Sequence, residues 1–228
     1  MPKKVPANGN RVLSRLSRAD LALLQPHLGP LDLPLLKTLE TRSSRIDTVY
    51  FIDRGFASVV ADAQGKREIE VGIIGREGMT GLAVVLGQDH AQHASYIQMA
   101  GVGHGISAAR LRQAMAQSAS LHQTLLHCAH AFLTQTSETA VANGRSKTKE
   151  RLARWLLMAH DRSDGRELPL THTLLAIMLG VQRPAVSVAV EALERQGLLR
   201  AGRRVITILD RKGLVAASNG AYERPDGL

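Results

Sequence analysis

The spacing of apolar residues changes twice along the chain. Residues 1–10 (MPKKVPANGN) are polar and rich in Pro and Gly, which predicts a frayed terminus. Over residues 11–28 the spacing is helical. Val12, Leu13 and Leu16 share a face, and Ser17 stands where it can cap a second helix, Ala19 to His27, with Leu21, Leu23 and Leu24 inward. From Leu31 to Ser107 the chain breaks into short β-rich runs at Thr48–Ile52, Ala57–Ala61, Ile69–Ile74 and Ser95–Met99. Turn signals separate them: Asp53-Arg54-Gly55, Asp62-Ala63-Gln64-Gly65, Gly75-Arg76-Glu77-Gly78 and Gly101-Val102-Gly103. This pattern predicts an antiparallel sandwich or barrel and excludes a parallel α/β fold.

Helical spacing returns at Ala108. A short helix runs to Met115, and a long one covers Leu121 to Asn143. Along the long helix Leu121, Leu125, Cys128, Phe132, Gln135, Thr139 and Ala142 alternate four and three apart, a heptad stripe. Such a stripe can lie on its own domain or form a dimer seam, and the dimer is the expectation taken. Gly144 and Ser146 can hinge it to a helix from Thr148 to Ala159. That helix is expected to bury Leu152, Trp155 and Leu156 and to show Lys149, Arg151 and Arg154. A loop over 161–167 follows.

Leu170 to Leu199 then reads as two short helices joined by a tight turn. Thr171 or Thr173 can cap the first, Gly180 can leave it at positive φ, and Val181 plugs the turn. The second begins near Gln182 or Arg183, tolerates Pro184 in its first turn, and carries Ala185, Val186, Ala189, Val190 and Leu193 on one face. This is helix-turn-helix spacing, with Gln182, Arg183, Ser187 and Val188 left outward where a major groove would lie. Arg183 suits a bidentate guanine contact. Residues 198–208 (LLRAGRRVITI) read as strand, basic turn and strand, the wing of a winged helix, with Arg203 and Arg204 placed for phosphates. The alternative is an ordinary helical hairpin in an enzyme. Asp47, Asp53 and Asp62 form no catalytic constellation, however, and no nucleophile–base pattern or P-loop is present.

Charge strengthens the nucleic-acid reading. The formal net charge is +9 over 228 residues. Between Arg145 and Lys212 fourteen Lys and Arg face seven Asp and Glu, so most of the excess lies with the helix-turn-helix. The single Cys128 excludes an intramolecular disulfide framework, a four-cysteine metal cluster and an iron–sulfur cluster. Neither a membrane-length apolar run nor a signal-peptide core occurs, so a cytoplasmic protein without a membrane partner is expected.

Taken together, the chain from about Leu13 to Leu209 resembles the Crp/Fnr family of bacterial transcription regulators. The residues that carry the resemblance are Lys149–Leu157 (KERLARWLL), Leu179–Val186 (LGVQRPAV) and Leu193–Leu199 (LERQGLL), with Val49-Tyr50-Phe51 followed by Gly55. The resemblance implies an α+β fold: an N-terminal antiparallel β-roll of the cyclic-nucleotide-binding type (1–118), a dimerisation helix (119–145) and a C-terminal winged helix-turn-helix (146–228). It implies a homodimer on a palindromic double-stranded DNA site with RNA polymerase as a partner, and the roll is expected to take a small-molecule effector other than cyclic AMP, or none. The expected DNA contacts are Gln182, Arg183, Ser187, Val188, Thr171, Lys149 or Arg151, Arg203 and Arg204, and the expected dimer contacts are Leu121, Leu125, Cys128, Phe132 and Thr139.

Two departures qualify the resemblance. The family's nucleotide cassette has a Gly-Glu pair and later an Arg that neutralises the cyclic phosphate. Here Gly81 is followed by Leu82, and the later stretch, Ala91 to Ser95, offers His93 and no Arg. A pocket built on Gly81, Leu82, His93 and Ser95 is therefore expected not to take cyclic AMP. Pro184 replaces the acidic residue beside the arginine in many members, so a different operator is expected. His127, Cys128 and His130, with His90, His93 and His104 elsewhere, leave a metal- or haem-responsive regulator as an alternative. A ligand-binding module whose basic end takes another partner is a second.

Overall fold

The computed structural model describes residues 9–62 and 68–223. The elements in chain order are α1 (Arg11–Arg15), α2 (Arg18–Leu24), β1 (Gly29–Leu33), β2 (Thr38–Glu40), β3 (Thr48–Asp62), β4 (Glu68–Ile74), α3 (Leu82–Val85), β5 (Ala94–Ser107), α4 (Ala108–Gln117) and α5 (Ala119–Arg145). They continue as α6 (Thr148–Asp161), β6 (Glu167–Leu168), α7 (His172–Leu179), α8 (Arg183–Arg195), β7 (Leu199–Gly202), β8 (Val205–Ile208) and α9 (Arg211–Ala217). A five-stranded sheet has the order β1-β5-β3-β4, with β2 also on β5, and a three-stranded sheet has the order β6-β8-β7. The described pairings of β1 and β2 with β5, and of β6 and β7 with β8, are antiparallel, as the sequence predicts.

The chain divides into two compact units. Met1–Val59 and Ile74–Gln135 form one, and Val60–Ile73 and Thr136–Leu228 form the other. The described residues 60–62 and 68–73 therefore cluster with the C-terminal part of the chain. In the first unit the core holds Leu13, Leu24, Val49, Phe51, Met79, Val85, Ile106, Leu111, Leu121 and Leu125. In the second, α6 packs on α7, α8 and α9, and Leu156, Leu175, Val186, Leu193, Leu199, Ile206 and Leu214 are buried.

Several expectations are corrected. Asn10 is no frayed residue. Its side chain accepts from the N–H groups of Val12 and Leu13, and its amide donates to the carbonyls of Ile52 and Gly78 at 3.0 and 2.8 Å. A buried amide with this many partners anchors the chain start from residue 10 onward. Neither Asp53-Arg54-Gly55 nor Gly101-Val102-Gly103 is a turn, because each lies inside a long strand, β3 or β5. The glycines mark close approach of backbones. A Cβ on Gly101 would stand 1.8 Å from the Arg54 carbonyl oxygen, and one on Gly55 would stand 2.3 Å from that of Met99. Asp53 is buried in its strand, accepts from the Asn10 N–H at 2.9 Å and pairs with His104 Nδ1 at 3.0 Å. Most of the turn expected at 62–65 lies outside the described residues. Residues 75–78 do turn, with the Gly78 N–H on the Gly75 carbonyl at 3.1 Å.

The C-terminal stretch is tied down as far as it is described, to residue 223. Leu214 on α9 is fully buried. Tyr222 donates to Asp161 Oδ2 at 2.5 Å and accepts from Arg211 at 2.9 Å, and Arg211 also pairs with Asp161 at 2.7 Å. Burial, followed by the Asp161 carboxylate, pushes the Tyr222 phenol up to about 12.

Candidate DNA-binding surface

Local sequence explains the helix pair. The Thr171 Oγ1 accepts from the Leu174 N–H at 3.1 Å and starts α7. Its hydroxyl is committed to that cap. Gly180 ends the helix at φ 60, a conformation that costs an L side chain roughly 1–2 kcal/mol. The Val181 N–H then returns to the Ala176 carbonyl at 3.0 Å. α7 and α8 are bent by 106°, within the range for helix-turn-helix pairs. Pro184 falls in the first turn of α8, where its missing N–H leaves no hydrogen bond unmade. Val186, Ala189, Val190 and Leu193 are buried along one side of α8.

The opposite side is open. Gln182, Arg183, Pro184 and Glu191 are exposed, and Val188 is 63% exposed. Ser187 is only half-buried. Its hydroxyl donates to the Arg183 carbonyl at 3.3 Å and lies 3.0 Å from His172 Nδ1. His172, which sequence reasoning missed, thus ties the start of α7 to the middle of α8. The wing forms as read: Gly202 pairs with Val205, and exposed Arg203 and Arg204 make the two-residue turn, Arg204 at φ 61. A third strand, β6, pairs Glu167 and Leu168 with β8 where a loop was expected. The Ala201 N–H donates to Glu194 Oε1 at 2.8 Å, joining β7 to α8.

On α6, Lys149 is half-exposed, whereas Arg151 and Arg154 depart from expectation. Arg151 donates to the carbonyl of Leu179, the last residue of α7. Arg154 is buried, 3.7 Å from Glu138, and desolvation lowers its pKa. Trp155 explains the difference: α6 buries a face wide enough to include Arg154, because β4 covers part of it. Trp155 Nε1 donates to Glu70 of β4 at 2.5 Å.

In the β-roll, Gly81 and Ser95 come together as expected, but around a residue the sequence reading missed. Glu40 Oε1 accepts the Gly81 N–H at 2.8 Å, and its Oε2 accepts the Ser95 hydroxyl at 2.9 Å. Desolvation pushes the Glu40 carboxyl above its ordinary range, against those two hydrogen bonds. Leu82 packs on the apolar core, and His93 is exposed. Only a three-residue strand containing one Glu announced this arrangement.

The expected dimer stripe on α5 is mostly spent within the chain. Leu121 and Leu125 are fully buried in the first unit's core, and Cys128 packs against it. Phe132 and Thr139 are half-buried. The apolar residues α5 leaves open are Leu126 at 38%, Leu133 at 56% and Val141 at 61% exposure. Among the described residues no three His, Cys, Asp or Glu side chains come together as a metal site. His127 and His130 are exposed, while Cys128 turns inward. No single helix among the described residues is long and apolar enough to cross a membrane.

Known proteins share this geometry. Residues 150–217 match the Crp-like helix-turn-helix domain. No curated protein matches the sequence significantly. Solved structures do. FixK2 from Bradyrhizobium japonicum is 18% identical, with 83% of this chain and 96% of that one covered and a TM-score of 0.72. A CRP-family transcriptional regulator from Thermus thermophilus is 20% identical, with 85% and 98% covered and a TM-score of 0.70. The c-di-GMP-responsive global regulator CLP of Xanthomonas campestris is 19% identical, with 84% and 99% covered and a TM-score of 0.66. The chain therefore has the fold of the Crp/Fnr transcription regulators. Within it, residues 150–217 are similar to the Crp-like helix-turn-helix domain.

Proposed function

We propose that this chain is a sequence-specific transcription regulator, not an enzyme, that binds a palindromic operator as a homodimer. The observation that carries this reading is the open start of α8, Gln182 and Arg183, on a helix-turn-helix bent at the expected angle and followed by a wing tipped with two exposed arginines. Arg183 reads a base edge. Arg203, Arg204 and Lys149 neutralise phosphates, which makes binding fall steeply with salt. Val188 contributes apolar contact in the groove. Thr171 contributes through the helix start it caps, and Ser187 through the helix it is bonded into. The partners are double-stranded DNA, a second copy of the chain and RNA polymerase, and the place of action is the cytoplasm.

A partner copy is best accommodated by the face of α5 that holds Leu126 and Leu133, seven residues apart, since the stripe through Leu121 and Leu125 is occupied. The effector is not cyclic AMP, or none is needed. A cyclic phosphate at Gly81 and Ser95 would meet the Glu40 carboxylate, with His93 exposed and no Arg in the stretch 91–95. CLP responds to a different nucleotide, which fits a fold whose effector varies.

The test is selection of sites from random DNA with and without cyclic AMP, repeated with Arg183→Ala. A palindrome recovered equally with and without nucleotide, and lost in the variant while salt-dependent non-specific binding stays, supports the reading. Unchanged operator preference in Arg183→Ala would sink the assignment of α8. Recovery only with cyclic AMP would overturn the effector reading.

A further inference from the structure

The described residues 60–62 and 68–73 cluster with the C-terminal part of the chain. Glu70 is 4% exposed, and Trp155 is equally enclosed. Their hydrogen bond runs from β4 to α6. The Glu70 and Glu138 charges both act on buried Arg154, one residue before Trp155. One turn earlier on α6, Arg151 donates to the Leu179 carbonyl. Leu179 and Gly180 are the end of α7. Ile69, adjacent to Glu70, reaches that same point directly: a Cβ on Gly180 would stand 2.7 Å from Ile69 Cδ1 and 3.2 Å from its Cγ1. Gln182 and Arg183 lie two and three residues beyond Gly180.

We propose that Ile69 and Glu70 are positioning residues for DNA reading: the start of β4 sets the helix-turn-helix turn by two routes. The direct route is Ile69 on Gly180. The indirect one passes through Glu70 and Trp155, then along α6 to Arg151 and Leu179. Both converge on the backbone that aims α8. A buried carboxylate is costly without a hydrogen-bond partner, so the Glu70–Trp155 bond favours the one docking of β4 that supplies it over near alternatives that leave Glu70 buried and unpartnered. Ile69 meets a glycine, so its contact is with the turn's backbone, and any shift of β4 is felt there without an intervening flexible side chain. The inference rests on the DNA-binding reading above and adds to it a contribution from outside the helix-turn-helix.

Trp155 is the single tryptophan, so its fluorescence reports docking independently of DNA. The experiment uses the full chain as wild type, Glu70→Gln, Ile69→Ala and the milder Ile69→Val. For each it measures Trp155 emission and acrylamide quenching, thermal unfolding, and affinity for the selected operator and for unrelated DNA. In Glu70→Gln and Ile69→Ala, Trp155 emission moves to the red and quenches more readily. Operator affinity falls about tenfold, unrelated DNA is bound as before, and unfolding stays cooperative. Ile69→Val gives a smaller loss in the same direction, and keeps the test open where the larger change unfolds the protein. Operator affinity within about twofold of wild type in folded variants whose Trp155 signal has changed overturns the inference and leaves the DNA reading intact. Equal loss on operator and unrelated DNA also overturns it, because a positioning residue acts on specificity. A wild-type chain that selects no site at all removes the DNA reading and the inference together.

Discussion

The Ser95 hydroxyl donates to Glu40 at 2.9 Å, and the other oxygen of the same carboxyl group accepts the Gly81 N–H at 2.8 Å, so Glu40 ties β5 to the start of α3. Desolvation is the largest influence on Glu40 and raises its pKa. The folded state therefore releases this proton later than the unfolded chain does. Stability from the protonated form is present at low pH and is lost as pH rises through the raised carboxyl value. Glu40→Gln keeps an acceptor for the Gly81 N–H, and Ser95 can turn to accept from the new amide. Its melting temperature at neutral pH is expected to equal or exceed that of wild type, and the part of the pH dependence due to Glu40 disappears. A clear drop in melting temperature at pH 7 would show that the charge itself holds the roll together.

Arg204 carries a separate tension between stability and binding. It sits at φ 61 in the wing turn, where a non-glycine residue costs about 1 kcal/mol or more. Glycine removes that cost, and part of the gain is offset by its freer unfolded chain, roughly 0.5–1 kcal/mol. Arg204→Gly is thus expected to leave stability unchanged or raise it by up to about 1 kcal/mol while lowering DNA affinity uniformly across sequences and reducing the salt slope by about one. Arg203→Ala is expected to reduce the slope without the gain in stability. Denaturant melts and salt titrations separate the two; a slope unmoved in both variants would take the wing off the DNA.

The contrast between what the sequence disclosed and what it hid has a physical basis. The helix-turn-helix was readable because its signals are local: a Thr cap, a Gly at positive φ and a Pro in a first turn act within a few residues. The wing was readable for the same reason. Gly55, Gly101 and Gly103 were misread as turn residues because a glycine also serves where another backbone passes close, and which strand passes is not written nearby. Glu40 was missed because its partners, Gly81 and Ser95, lie 41 and 55 residues away. On α5 the heptad stripe picked out Leu121, Leu125 and Phe132 but not the exposed Leu126, Leu133 and Val141, because periodicity cannot say whether a face meets the chain's own core or a second copy.

Cys128 offers a test of that inward face. Burial pushes its thiol from the ordinary 9.0 up to about 11, and the neighbouring Glu77 charge adds to the rise. Near pH 8 the folded protein is therefore expected to react with a thiol reagent far more slowly than the denatured chain. Between about pH 9 and 11 the unfolded thiol has lost its proton while the folded one keeps it, so stability declines across that window. Cys128→Ala removes this contribution to the decline. Labelling of the native protein at the denatured rate would mean that this face of α5 opens to solvent.

Leu125 and Leu133 stand on different faces of α5 and are expected to fail in different ways. Leu125 is fully buried in the core of its own unit, whereas Leu133 is 56% exposed. Leu125→Ala removes core contacts and is expected to cost about 2–5 kcal/mol of stability. Leu133→Glu places a charge on a surface already open to water, so the folded monomer should tolerate it. In the proposed dimer the same charge would be desolvated beside its symmetry mate, a like pair with no compensating cation. Sedimentation analysis of Leu133→Glu is then expected to show a folded monomer where the wild type is a dimer, with operator affinity falling as the second half-site contact is lost. A Leu133→Glu protein that remains dimeric would move the interface off the face of Leu126 and Leu133, and a wild type that sediments as a monomer would remove the dimer from the mechanism.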